Sequence, residues 1–256
     1  MTPAGEPVIV VEGLTARFGE TTVLKDVNLE VYKGEILCII GGSGCGKSTL
    51  LKQMIGLIRP SGGRVLVGGV DIAAADDDTL NLIRRGIGVL FQSDALFGSM
   101  TLGENVALPM DGASGLLPGT IEAVVRMKLG MVHLGGYENH FPTELSGGMR
   151  KRGALARAMA LDPDILFFDE PSAGLDPLNA AELETLIQGI NVGLGTTIVI
   201  VSHQVDLVRR VADRVIMLDR EARGIIASGA PEELRKNATD PRLRNFLFRQ
   251  EEGRTK

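Results

Sequence analysis

The chain has 256 residues, of which 44% are hydrophobic and 23% charged, and its formal net charge is −5. This composition is typical of a folded globular protein rather than of a disordered chain. The negative charge argues against a general nucleic-acid binder, because such proteins neutralise phosphates with surplus lysine and arginine. The two cysteines, Cys38 and Cys45, are too few for a disulfide framework and fit a reducing compartment.

The sequence shows neither the pattern of a membrane-spanning segment nor that of an export signal. No apolar run approaches the roughly 20 residues that span a bilayer. The N-terminal segment, residues 1–11, lacks the basic and apolar regions of a signal peptide. We therefore expect a cytoplasmic protein whose membrane role, if it has one, comes through a partner.

The N-terminal patterns indicate two strands with a lone aromatic between them. Residues 8–11 form an apolar run, and residues 23–31 alternate as in a half-buried antiparallel edge strand. Between them lies Phe18, which can stack on a base, although a lone phenylalanine is more often part of a core.

A glycine-rich loop with the sequence GGSGCGKS occupies residues 41–48, between an apolar strand at 36–40 and a helix at 49–55. It matches G-x-x-x-x-G-K-[ST]. In such a loop the glycines let backbone N–H groups turn inward, Lys47 reaches the β- and γ-phosphates, and the Ser48 hydroxyl can ligate Mg²⁺. The helix N-terminus adds partial positive charge. The loop therefore predicts nucleotide binding.

The next segment indicates a strand at 64–70, a helix at 76–85 and a buried strand at 86–91 that ends at Gln92. Ligands of open α/β sheets bind at the carboxyl ends of strands. Gln92 is therefore a candidate site residue, although a polar residue at a strand end is more often a solvated cap.

Residues 93–160 indicate an inserted helical subdomain. The pattern predicts a hinge loop at 112–119, a helix at 120–134 and a helix at 149–161. The first turn of the last helix carries three basic residues, 150–152, which oppose the helix dipole and favour an anion or partner nearby.

An apolar strand at 164–169 ends in two adjacent carboxylates, Asp169 and Glu170. A buried strand explains the apolar residues but not the acids at its tip, whereas Mg²⁺ in P-loop enzymes is held by the loop hydroxyl and such an aspartate. A helix at 178–190 and a strand at 196–201 lead to His203, one of three histidines. We expect His203 to lie at the same sheet edge as Asp169. The remaining patterns predict strands at 214–219 and 224–228, followed by helices at 231–236 and 241–249.

With these motifs in this order, the chain resembles the ATP-binding-cassette (ABC) ATPases over nearly its whole length. The features that distinguish this resemblance from one to P-loop NTPases in general are LSGG at 145–148, SAGLD at 172–176, Gln92 and His203. The resemblance implies an α/β P-loop NTPase fold with a mixed-sheet core, an N-terminal antiparallel β subdomain and an inserted helical subdomain. It divides the single domain 1–256 into the core and β subdomain (1–92 and 161–239), the insertion (93–160), and a C-terminal helix and tail (240–256).

The resemblance also implies ATP and Mg²⁺ as cofactors, with two cassettes enclosing two ATP molecules. Phe18 would stack on adenine, and Mg²⁺ would be held by Ser48, Gln92 and Asp169. The residues that would bind the phosphates are Gly41, Gly42, Ser43, Gly44, Cys45, Gly46, Lys47, Ser48 and Thr49.

Catalysis in the resembling family needs both subunits. Glu170 would be the general base and His203 would contact the γ-phosphate, assisted by Lys47 and Gln92. The opposite subunit would contribute the signature residues Ser146, Gly147 and Gly148, and Asp176 would lie at the dimer interface.

Three residues depart from the commonest family pattern. Phe18 stands where tyrosine is commoner, Met149 where glutamine is usual, and Cys45 where serine is frequent. The Met149 departure leaves that residue's contacts open. Because Cys45 lies in the phosphate loop, we expect a thiol reagent to inhibit unless ATP is bound.

Within the superfamily, several segments look like the ATPases of Mla-type, MCE-linked phospholipid transporters. They are residues 40–44, 89–97, 145–152, 165–177 and 240–247. This resemblance implies a homodimer on the cytoplasmic face of the inner membrane, held there by a permease. A periplasmic MCE-domain protein and often a STAS-domain regulator would complete the complex, and no nucleic acid is expected.

Two alternatives stay open. An ATPase subunit of a small-solute importer shares every catalytic motif and differs only in the amino-acid sequence of these segments. A soluble, non-transport cassette protein usually carries tandem cassettes, long coiled-coil insertions or a more basic surface, and this sequence has none of these features.

Overall fold

The computed structural model describes residues 5–111 and 115–248. Part of the predicted hinge at 112–119 and the tail beyond residue 248 lie outside these ranges. The strands are β1 (Pro7–Phe18), β2 (Thr21–Tyr32), β3 (Ile36–Gly41), β4 (Gly62–Val67), β5 (Val70–Asp71), β6 (Ile87–Leu90), β7 (Ile165–Asp169), β8 (Thr197–Val201), β9 (Arg214–Asp219) and β10 (Gly224–Gly229). The α-helices are α1 (Lys47–Met54), α2 (Asp77–Arg85), α3 (Leu102–Ala107), α4 (Pro118–Met131), α5 (Gly147–Ala158), α6 (Pro177–Leu194), α7 (Val205–Val211), α8 (Pro231–Asn237) and α9 (Pro241–Phe248).

The strands form two sheets. The first is antiparallel, in the order β2-β1-β4-β5, and β2 lies at its edge as its alternating pattern predicts. The second has the order β10-β9-β3-β8-β7-β6, parallel except for the antiparallel pair β9–β10. This mixed sheet and the helices inserted between β6 and β7 confirm the predicted fold class.

The central strands separate two hydrophobic cores. Successive side chains of a strand point to opposite faces. In β3, Cys38 and Ile40 therefore pack into the core shared with the helical insertion, while Leu37 and Ile39 pack into the core shared with the antiparallel sheet and α1. Burial on both faces explains why the central strands are continuous apolar runs rather than alternating ones.

The structure extends or adds several elements. β1 continues from Pro7 to Phe18, well past the predicted 8–11, because β2 and β4 pair with it on both sides and hold its polar half in the ladder. The predicted strand at 64–70 is broken by a turn at Gly68 and Gly69 into β4 and β5. Helix α7, which the sequence analysis left unassigned, buries four apolar residues against neighbouring elements.

Four helices, α1, α4, α5 and α6, begin one or two residues earlier than their patterns predict. α5 starts at Gly147 rather than at 149, because Ser146 caps it and accepts a hydrogen bond from the Met149 N–H. α4 starts at Pro118, whose fixed φ suits a first helical turn. The start of α5 matters for function, since it puts two signature glycines in the first turn of a helix.

Candidate active site

The carboxyl ends of four parallel strands meet at one edge of the mixed sheet. Val201 at the end of β8 is in register with both Ile39 of β3 and Asp169 of β7. Leu90 of β6 is in register with Phe168 of β7. The segments that follow these strands therefore begin side by side: the phosphate loop, the Asp169–Glu170 pair, His203 and Gln92.

The phosphate loop has a shape that only glycine permits at its last position before the helix. Gly46 adopts φ +101°, and a Cβ there would lie 2.7 Å from the Leu24 side chain of β2. Lys47 folds over the loop, where its Nζ donates to the carbonyls of Gly41 (2.9 Å) and Gly42 (3.1 Å). The Lys47 ammonium is thus held over the loop at the N-terminus of α1, and this combination suits phosphate oxygens.

A hydroxyl and a carboxylate meet next to this loop. Ser48 Oγ donates to Asp169 Oδ1 at 3.1 Å, and Asp169 is only 7% exposed. Burial raises the pKa of Asp169, while the Ser48 hydrogen bond opposes that shift. These hard oxygen donors fit Mg²⁺, which binds through one or two carboxylates together with substrate phosphates.

The second carboxylate, Glu170, is held in a strained and specific position. Its backbone is left-handed (φ +51°), which costs a non-glycine residue about 1–2 kcal/mol. Its N–H donates to the Val201 carbonyl at 2.9 Å. Its carboxylate contacts His203 Nδ1 at 2.8 Å. The strained backbone therefore turns Glu170 away from the strand direction and onto His203.

Ser202, which the sequence pattern did not mark as a site residue, supports this pair. Its side chain is fully buried, and its Oγ lies 3.5 Å from Glu170 Oε2 while it accepts the Gln204 N–H at 3.0 Å. Only the position of Ser202 immediately before His203 could have drawn attention to it.

The signature residues form a second group, around the start of α6. A Cβ at Gly148 would lie 2.2 Å from Asn179 Oδ1, so only glycine allows this close approach. Asn179 Nδ2 in turn donates to Asp176 at 2.5 Å, and Asp176 caps α6. Ser146 and Gly147 are exposed at the N-terminus of α5.

The predicted site residues thus fall into two groups within one chain. Among residues 5–111 and 115–248, no side-chain hydrogen bond joins the phosphate-loop group to the signature group. Phe18 lies at the tip of the β1–β2 hairpin with 49% of its surface exposed, on the sheet whose Leu24 touches the phosphate loop. The Gln92 side chain is also exposed, while its backbone carbonyl accepts a hydrogen bond from Lys151.

The structure argues against one expectation, the inhibition by a thiol reagent at Cys45. Cys45 is only 1% exposed, and burial raises the pKa of its thiol. Thiol reagents attack the thiolate, so ready alkylation of Cys45 is not expected of the folded protein. Its side chain instead fills the space beside Gly41, where a Cβ would lie 2.6 Å from Cys45 Sγ.

A phosphate loop, a hydroxyl–carboxylate pair and a second carboxylate at one sheet edge define a P-loop nucleotide-binding domain. A family model described as "ABC transporter" matches residues 24–173. The chain belongs to the ABC transporter family, as an ATP-binding protein that hydrolyses ATP, and its cofactors are ATP and Mg²⁺. In the part of the chain that the structure describes, no helix is long and apolar enough to cross a membrane.

Sequence relatives extend beyond this chain. It is 45% identical over 239 residues to the "probable ribonucleotide transport ATP-binding protein mkl" of Mycobacterium leprae, covering 93% of this chain and 68% of that protein. It is 40% identical over 225 residues to the "methionine import ATP-binding protein MetN" of Brucella abortus, covering 88% of this chain and 60% of that protein. The chain therefore spans only about two thirds of the length of these relatives.

Solved structures match more completely. A dimeric, post-hydrolysis structure of the ATP-binding cassette MJ0796 with ADP and Pi superposes with a TM-score of 0.79 at 32% identity, covering 87% of this chain and 98% of that one. The cbiO1 subunit from Clostridium perfringens, part of the cbiONQ transporter complex, gives a TM-score of 0.82 at 30% identity, with 91% and 92% covered.

Proposed function

We propose that this chain is the ATP-hydrolysing subunit of an MCE-linked transporter that moves phospholipid or a related lipid between membranes. The observation that carries the ATPase part is the meeting of two contact pairs, Ser48–Asp169 and Glu170–His203, beside the phosphate loop. One pair suits a metal ion and the other suits an attacking water.

The proposed chemistry uses each residue for what its contacts allow. Lys47 and the loop N–H groups bind the phosphates, and Ser48 with Asp169 would hold Mg²⁺. The metal, when bound, neutralises charge that develops on the transferring phosphoryl group. Glu170 accepts the proton of the attacking water, since its carboxylate is fixed by His203 and a carboxylate next to a metal ligand can orient water in line.

We further propose that two copies act together. Ser146 and Gly147 are exposed at the start of α5, where backbone N–H groups without helical partners favour an anion. Within one chain, the described residues show no side-chain hydrogen bond between this signature group and the phosphate-loop group. A second copy can therefore present Ser146 and Gly147 to the nucleotide. The dimeric MJ0796 cassette supports this arrangement.

The lipid assignment rests on the segments that resemble Mla-type ATPases. The partners that this resemblance implies are a permease, an MCE-domain protein and a STAS-domain regulator. One of these segments, 240–247, coincides with α9, which packs Leu243 into the core. A small-solute importer is the second candidate, favoured by the 40% identity to a methionine import protein. Both candidates place the chain at the cytoplasmic face of the membrane through a permease.

Partners separate the two candidates. The tagged protein is purified from its native membranes in mild detergent, and co-purifying proteins and lipids are identified by mass spectrometry. A multi-span permease with an MCE-domain protein and bound phospholipid is the expected result. Recovery of a solute-binding protein instead would favour the importer, and recovery only with ribosomes or DNA would exclude transport.

A further inference from the structure

Helix α5 carries more than the signature residues at its start. Three of its basic side chains contact the loop that contains Gln92. Arg150 Nε lies 3.3 Å from the Asp94 carboxylate. Lys151 Nζ donates to the carbonyls of Gln92 (2.5 Å) and Phe91 (3.4 Å). The basic cluster that opposes the helix dipole therefore has its partners inside the same chain.

The third cation extends the contact by two helical turns. Arg157 donates from Nη1 to the Ala95 carbonyl at 2.7 Å and from Nη2 to the Asp94 carbonyl at 3.2 Å. Arg150 and Arg157 are seven residues apart and lie on one side of the helix. We call residues 91–95 together with these three cations the α5 clamp.

The loop needs this clamp because its own backbone is unfavourable. Asp94 and Ala95 both adopt left-handed conformations, with φ of +49° and +56°. Each costs about 1–2 kcal/mol for a non-glycine residue, so surrounding contacts must hold them. Lys151 is the central contact, since it is 5% exposed and binds the carbonyl of Gln92 itself.

We propose that Lys151 is a positioning residue that ties Gln92 to the signature helix, so that movement of the signature motif moves the Gln92 side chain relative to the Mg²⁺ site. The α5 N-terminus and the three cations of the clamp belong to one helix of 12 residues. A displacement of Ser146 when it engages the partner's nucleotide is thereby passed to the backbone of Gln92. This inference rests on the proposed roles of the signature motif and Gln92.

The chain offers a matched control on the same helix. Arg152 is the neighbouring cation, but it contacts other parts of the chain, namely the Val132 carbonyl (3.4 Å) and Glu182 (3.9 Å). Arg152→Met removes a basic side chain from α5 without touching the clamp. Lys151→Met removes the clamp's central donor, and Lys151→Arg retains a cation that can donate to carbonyls.

The first test measures the local stability of the clamp independently of ATP hydrolysis. Hydrogen exchange of the full-length protein is followed at the amides of residues 92–96. Lys151→Met should speed exchange there by roughly tenfold or more, because local opening becomes easier. Lys151→Arg and Arg152→Met should leave it near the parent rate. Unchanged exchange in Lys151→Met would overturn the clamp.

The second test is a double-mutant cycle on ATP turnover. Lys151→Met should lower kcat on the order of tenfold or more, the scale of a small misplacement at a reacting centre, and Lys151→Arg should restore most of it. In a Gln92→Ala background, Lys151→Met should have no further effect, whereas Arg152→Met should act independently. Losses that multiply for Lys151 and Gln92 would overturn the positioning role.

Failure of the proposed function would give different results from failure of the clamp. If Gln92→Ala itself retains full turnover, the proposed role of Gln92 is wrong and this inference falls with it, even where exchange shows an intact clamp. If Glu170→Gln also retains turnover, the proposed catalytic site is wrong.

Discussion

Replacing Glu170 by glutamine tests the proposed general base with little change of shape. The carboxamide is nearly isosteric and can still hydrogen-bond His203 Nδ1, which lies 2.8 Å from the carboxylate. What it loses is the ability to accept a proton from water. A general base contributes about 10²- to 10⁴-fold to rate, which corresponds to roughly 3–5 kcal/mol of barrier at 1.36 kcal/mol per tenfold. We therefore expect kcat to fall by that factor.

Binding of ATP should survive the same change, because the phosphate loop and the Ser48–Asp169 pair are untouched. The assay measures phosphate release at saturating Mg-ATP, alongside nucleotide affinity and the oligomeric state with ATP. Glu170→Gln should bind ATP like the parent and accumulate as an ATP-bound dimer. Glu184→Gln is the control, since Glu184 is also buried but pairs with the exposed Arg210, 2.8 Å away. Parent-like turnover by Glu170→Gln would refute the assignment.

Three further predictions follow from the site. Mg-ATP at about 100 times its Kd should stabilise the parent by roughly 2.7 kcal/mol, seen as a rise in Tm, and Lys47→Ala should lose that rise; an equal rise would contradict the phosphate-binding role. Gly148→Ala should lower turnover roughly tenfold or more while ATP affinity is kept, because its Cβ displaces Asn179, and normal turnover would contradict the signature assignment. Cys45 should react slowly with a chromogenic disulfide in the native protein and quickly after unfolding in guanidinium; rapid native reaction would show that the thiol is accessible.

Much of the site could be predicted because its chemistry needs particular residue types at short spacing. The phosphate loop, the strand tip at Asp169 and the position of His203 are local patterns. Their meeting at one sheet edge follows from parallel strands, whose carboxyl ends share that edge. The register of Val201 with Asp169 and Ile39 confirms this expectation.

Other features could not be predicted because they depend on contacts between distant segments. The polar half of β1 is a strand because β2 pairs with it as far as Phe18 and β4 pairs with it as far as Thr15. Cys45 looks reactive in a glycine loop, yet its thiol is buried beside Gly41. Helix α7 has only seven residues and no side-chain cap at Gln204, whereas α8, of equal length, begins with a proline that marks a first helical turn.

The sequence by itself determined the family and its cofactors, and it predicted which residues serve the phosphate and metal chemistry, since both depend on local residue identity and order. Only the tertiary structure decided how they are held. The strained backbone of Glu170 puts its carboxylate on His203, and the cations of α5 bind the loop of Gln92. These contacts join residues far apart in the chain, and their geometry is decided by packing rather than by local pattern.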